Sequence, residues 1–153
     1  MKIVRSALFS LPLLLTGVQA APPESGAPAA EKPALPAPEK PAAVTHLKAP
    51  EAAKQIEAAA KDPAKAITVI DVRTPEEFAA GHLKGAKNVD FNEDDFEKKL
   101  STLDRNKTYL VHCAAGGRST RSLKLLDKLG FKSVIHLDEG YKGWTAAGLP
   151  VEK

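Results

Sequence analysis

An α/β fold with a parallel sheet covered on both faces is predicted by three observations. Short β-type apolar runs alternate with helix-like segments along residues 44–153, and such alternation implies right-handed crossovers between parallel strands. The run over residues 67–72 is almost continuously apolar, as expected of a strand buried on both faces. The helical segments carry recognisable start and stop residues. In sheets of this kind ligands gather at the carboxyl ends of the strands, and Cys113, the only cysteine, falls at one of those ends.

The elements follow in order. Residues 44–47 are the first strand candidate. Residues 50–61 read as a helix, with Pro50 at its first position and Ala53, Ile56 and Ala60 as its apolar stripe. After the strand over 67–72, Thr74-Pro75-Glu76-Glu77 is a helix start. Thr74 is the N-cap, Pro75 the first helical residue and Glu77 the closing member of a capping box. Gly81 ends that helix. A short strand is expected over 87–91. Asn92 is the expected cap of a helix with acids early (Glu93, Asp94, Asp95) and lysines late (Lys98, Lys99), a charge order that suits the helix dipole. Phe96, Leu100 and Leu103 give it an inner face. Residues 107–112 form the central strand. The helix over 119–129 buries Leu123, Leu126 and Leu129 and stops at Gly130. The last strand covers 133–137. Asp138 is the expected cap of a final short helix that packs Tyr141 and Trp144 into the core and ends at Gly148 and Pro150.

The N-terminal part has a different character. Residues 1–20 read as a signal peptide: Lys2 and Arg5 are basic, residues 7–18 are apolar but too short to span a bilayer, and Val18-Gln19-Ala20 offers small residues at a cleavage site. Residues 21–43 are rich in Pro, Ala, Glu and Lys and hold no aromatic residue. Such a segment buries too little surface to offset its ordering entropy and reads as a disordered linker. The folded domain is expected over 44–153, in the periplasm or secreted, with no stable membrane insertion once the leader is removed.

Charge and cysteine usage exclude several classes. The chain has 22 Lys+Arg against 19 Asp+Glu, and loss of Lys2 and Arg5 leaves it nearly neutral. A nucleic-acid binder would need a concentrated basic face. A single cysteine forms no internal disulfide, so the thiol is either buried and inert or reactive. His46, His82, His112 and His136 are scattered along the sequence, and no metal site is expected from them. No glycine-rich nucleotide signature follows a strand, so no cofactor is indicated.

The informative stretch is Val111-His112-Cys113-Ala114-Ala115-Gly116-Gly117-Arg118-Ser119. Small residues after the cysteine allow consecutive backbone N–H groups to turn inward as an anion-binding nest. The helix that follows would direct its positive end at the same spot. Cys113 is therefore the candidate nucleophile, with a lowered pKa. Ala114, Ala115, Gly116, Gly117, Arg118 and Ser119 are the candidate binding loop, Arg118 touching the bound anion and Ser119 capping the helix. His112 is adjacent in sequence, but neighbouring strand residues face opposite ways, which disfavours a Cys–His dyad.

Three segments together resemble the rhodanese (sulfurtransferase) family. Asp71-Val72-Arg73-Thr74-Pro75-Glu76-Glu77-Phe78, followed by Gly81-His82-Leu83-Lys84-Gly85-Ala86, is similar to the first family signature. The loop from Cys113 to Ser119 resembles Cys-x-x-Gly-x-Arg-Ser. Leu137-Asp138-Glu139-Gly140-Tyr141-Lys142-Gly143-Trp144 resembles the closing signature. The resemblance covers residues 44–153. It implies a rhodanese-like three-layer fold with a five-stranded parallel sheet flanked by helices, and Asp71 and Arg73 bracing the loop from beneath, with Glu77 as a further candidate. It also implies a sulfurtransferase: Cys113 takes a sulfane sulfur from a small anionic donor such as thiosulfate, forms a persulfide and passes the sulfur to a thiol or cyanide. A monomer is expected.

Two other readings compete. Cysteine-dependent phosphatases and arsenate reductases use Cys-x5-Arg, one residue longer than the Cys-x4-Arg here, and the shorter loop makes a cradle fit for a single sulfur atom. A non-enzymatic sulfur-carrier or partner-binding module is the other, but it has no need of an exposed reactive thiol. Ala114 and Ala115 are neutral where many family loops carry a cation, so modest affinity for thiosulfate is expected.

Overall fold

The computed structural model describes residues 42–153. The leader over 1–20 and the linker over 21–43, except its last two residues, lie outside the described residues. The elements are β1 (Ala43–Leu47), α1 (Ala49–Ala60), β2 (Ile67–Asp71), α2 (Pro75–Ala80), β3 (His82–Leu83), β4 (Lys87–Asn88), α3 (Phe96–Ser101), β5 (Thr108–His112), α4 (Gly117–Lys128), β6 (Ser133–Leu137), α5 (Gly140–Ala146) and β7 (Val151–Glu152). No helix among the described residues is long and apolar enough to cross a membrane.

Five strands form one sheet in the order β1-β6-β5-β2-β4, and all of its pairs are parallel. The predicted five-stranded parallel sheet is thus present. Side-chain alternation along the strands divides the core into two layers. On one face Tyr109, Val111 and Cys113 of the central strand meet Phe96 and Leu100 of α3, Leu126 of α4, and Phe131. On the other, Leu110 meets Ala49 and Ala52 of α1, Ile135 and Leu137 of β6, and Trp144 of α5. Burial of each such large apolar side chain contributes about 1.5–3 kcal/mol, so the central strand is held from both sides.

Several boundaries differ from the sequence expectation. β1 begins at Ala43 rather than Val44, because the Ala43 amide continues the pairing toward Lys132, and Ala42 packs against the core. The helix expected to start at Asn92 starts instead after Asp95. Asp90 takes the Asn92 amide and side-chain N–H groups at 2.9 and 3.0 Å, which holds a turn where the helix was expected. The small antiparallel ladder of β3 with β7 was not anticipated; two residues per strand leave no periodicity to read. The Thr74–Glu77 capping box forms as predicted.

A buried ion pair fixes the end of β2. Arg73 (3% exposed) donates from Nε and Nη2 to the Asp71 carboxylate (0% exposed), with the shortest contact 2.6 Å. The same Nη2 donates to the Gly81 carbonyl at 2.7 Å, and the guanidinium lies over the Tyr141 ring at 4.0 Å. This one side chain therefore links β2, the end of α2 and α5. Removing one partner of a buried pair strands the other charge, which costs about 3–5 kcal/mol. Arg73→Ala is expected to lose stability on that scale in urea unfolding, and a loss below about 1 kcal/mol would contradict the bracing role.

Candidate active site

β5 carries the chain to the carboxyl end of the sheet, where Cys113 turns into a loop of small residues and α4 begins at Gly117. Gly116 precedes the helix with φ +87°, a conformation that suits glycine. The loop is held from outside by α5. The Tyr141 amide donates to the Cys113 carbonyl at 2.7 Å, and the Lys142 amide donates to the Ala114 carbonyl at 3.0 Å. Because the peptide groups are trans, turning the Ala114 carbonyl outward turns the Ala115 N–H the opposite way. The amides of Ala115, Arg118 and Ser119 lie close enough to Cys113 to favour charge on Sγ. The last two are free donors of the first turn of α4, which has no intrahelical partner to offer them.

These donors set the acidity of the thiol. Burial alone would raise the Cys113 pKa, since Cys113 is only 2% exposed. Hydrogen bonds from the Ser119 amide and hydroxyl and from the Ala115 and Arg118 amides outweigh it, and the thiol lies below its ordinary value.

Arg118 stands beside this ring, and its guanidinium is engaged by Glu77 of α2. Nη1 and Nη2 donate to the two carboxylate oxygens at 2.7 and 2.9 Å, a bidentate pair. The Arg118 pairing holds the Glu77 carboxyl below its usual range. Glu77 thus reaches the loop directly, whereas Asp71 and Arg73, expected beneath it, make their hydrogen bonds to each other and to Gly81.

A family model for the Rhodanese-like domain matches residues 49–147. The chain belongs to the rhodanese-like domain family. It is 37% identical over 93 residues to thiosulfate sulfurtransferase 16, chloroplastic, of Arabidopsis thaliana, covering 54% of this chain and 78% of that protein. It is 31% identical over 84 residues to the putative sulfur carrier protein YrkF of Bacillus subtilis, spanning 55% of this chain and 44% of YrkF. Among solved structures, a rhodanese-related protein from Thermoplasma volcanium superposes with a TM-score of 0.60 at 29% identity, over 71% of this chain and 97% of that one.

In this rhodanese-like domain a second set of side chains reaches the sulfur, and the sequence reading missed it. Ser119 does not cap α4; Gly116 occupies the N-cap position. The buried Ser119 hydroxyl lies 2.9 Å from the Gly116 carbonyl, 2.9 Å from Nε2 of His136 and 3.5 Å from Sγ of Cys113. His136 in turn places Nδ1 2.7 Å from the Asp138 carboxylate. Asp138 was expected to cap α5, but Glu139 occupies that position and the Asp138 carboxylate faces His136 and His46. The signal available in sequence was parity: Asp138 lies two residues from His136, hence on the same face.

The remaining candidates are structural. His112 is fully buried on the opposite face from Cys113, with Nε2 3.7 Å from Asp71 and without a hydrogen-bond partner. Burial pushes its pKa down, opposed by Asp71, so the ring is neutral. Trp144 is buried and donates from Nε1 to the Pro150 carbonyl at 2.9 Å.

The alkylation rate of Cys113 by iodoacetamide rises with thiolate fraction, so it should level off with a midpoint below the ordinary thiol value of about 8.5. A midpoint at or above that value would mean the amide ring does not hold the charge. Gly140 has φ +58°, and a Cβ there would collide with the Cys113 carbonyl oxygen. Gly140→Ala is expected to destabilise the domain by about 1–3 kcal/mol and to move the alkylation midpoint upward, by displacing α5 from the loop.

Proposed function

We propose that this rhodanese-like domain is a sulfurtransferase acting through a persulfide on Cys113. The observation that carries the reading is the seat of Cys113 between the end of β5 and the first turn of α4, with the Ser119 hydroxyl 3.5 Å from Sγ. A preorganised set of donors around one sulfur supports the thiolate, which is the attacking form, and stabilises negative charge on a sulfur bound to it. The names of relatives lend support: one is a thiosulfate sulfurtransferase and another a putative sulfur carrier.

With thiosulfate as donor, the Cys113 thiolate attacks the outer sulfur. A new S–S bond forms, the S–S bond of thiosulfate breaks, and sulfite departs with the electron pair. A thiol or cyanide then attacks the terminal persulfide sulfur, the bond to Sγ breaks, and the thiolate is regenerated. Splitting the transfer over a covalent intermediate makes each displacement easier. Ala114 and Ala115 bring no charge to the loop and Arg118 is paired with Glu77, so the donor anion meets mainly peptide dipoles. The leader reading of residues 1–20 places this chemistry in the periplasm or outside the cell.

Thiosulfate:cyanide transfer and p-nitrophenyl phosphate hydrolysis, run side by side, test the proposal. Thiocyanate should form, and Cys113→Ser should abolish it while preserving the fold. Mass spectrometry after thiosulfate treatment should show one sulfur gained on Cys113 and removed by cyanide. Phosphate release without thiocyanate would establish the phosphatase reading instead. A thiol left unmodified by thiosulfate would establish the binding module.

A further inference from the structure

The four histidines are separated in sequence, but the sheet brings two of them together. β1 and β6 are neighbours, and their parallel register sets His46 opposite His136. Asp138 lies on the same face two residues beyond His136. Nδ1 of His46 is 3.3 Å from Nδ1 of His136, and Oδ1 of Asp138 is 2.7 Å from each of them. Three ligand atoms from three side chains thus point at one another at the carboxyl end of the sheet.

Two imidazoles and one carboxylate are a donor set for a divalent first-row ion. With Zn–N bonds of about 2.0–2.1 Å, tetrahedral ligand nitrogens stand roughly 3.3 Å apart, which is the separation of the two Nδ1 atoms. The carboxylate, at hydrogen-bond distance from both rings, needs only a small outward movement to open the centre.

The surroundings also fit. His136 is 2% exposed, and its other ring nitrogen is held by Ser119 Oγ at 2.9 Å, the outer contact that orients a ligating ring. A cation on Nδ1 sends the ring proton to Nε2, where that hydroxyl oxygen accepts it. His46 and Asp138 have side-chain exposures of 55% and 45%, which gives an ion a path from solvent and leaves room for water as a further ligand. We propose that His46, His136 and Asp138 form a binding site for a divalent transition ion of the zinc class, at the outer end of the hydrogen-bond chain that runs through Ser119 to Cys113. The proposal departs from the expectation of no metal site among histidines scattered along the sequence.

The site is tested on the untagged full chain carrying Cys113→Ser, so that the thiol cannot compete for the ion. Isothermal titration with Zn2+ should show saturable binding of one ion per chain. Adding either His46→Ala or Asp138→Asn should weaken it by at least about tenfold. Both positions are exposed, so these variants should keep the parent's melting temperature without metal. Zn2+ should raise the melting temperature of the Cys113→Ser chain, as any ligand of the folded state does, and at the same concentration should raise that of each double variant less. Absence of saturable binding, or binding unchanged in either variant, would overturn the proposal.

Discussion

The contact between the N-terminus of α5 and the carbonyls of Cys113 and Ala114 is the constraint on which the site depends. A loop of small residues has no side chains to define its shape. Two amides from α5 supply that definition by drawing the carbonyls outward, and planarity of the peptide turns the Ala115 N–H away from α5. Gly140 permits the approach, since a side chain there would occupy the space of the Cys113 carbonyl. The closing segment of the chain is thus part of the architecture of a loop that precedes it by more than twenty residues.

Charge around the sulfur is arranged with the same economy. Two arginines at this end of the sheet are each paired with a carboxylate, Arg73 with Asp71 in the core and Arg118 with Glu77 at the surface. The buried pair locks β2, α2 and α5 together. The outer pair ties α2 to the first turn of α4. The sulfur consequently sits beside peptide dipoles and a helix terminus. A short cradle of that kind suits a compact charge located on one sulfur atom.

The Ser119 hydroxyl has one proton and three neighbours able to accept it. When His136 donates from Nδ1 to Asp138, its Nε2 is an acceptor and competes with Sγ for that proton. One rotatable hydroxyl thus stands between a histidine on β6 and the thiol. Sheet geometry makes this possible, because residues of alternate parity on β6 and the first turn of α4 share one side of the sheet.

Much of this protein was legible in its residues taken locally. The capping box at Thr74–Glu77, the buried runs of β2, β5 and β6, and the small loop after Cys113 each rest on neighbours within a few positions, where periodicity and turn chemistry are written directly. The Asn92 start failed for a local reason too: Asp90 accepts from the Asn92 amide and side chain and makes a turn. What the residues did not disclose are contacts between distant segments. Arg118 meets Glu77 across 41 positions and His46 meets Asp138 across 92. Those encounters follow from strand order and register, since only the pairing of β1 with β6 sets His46 opposite His136. The chain by itself determined that a thiol would sit at a strand end before a helix, because that is a matter of local conformation. The tertiary structure decided which groups surround it, because that depends on how the sheet is assembled.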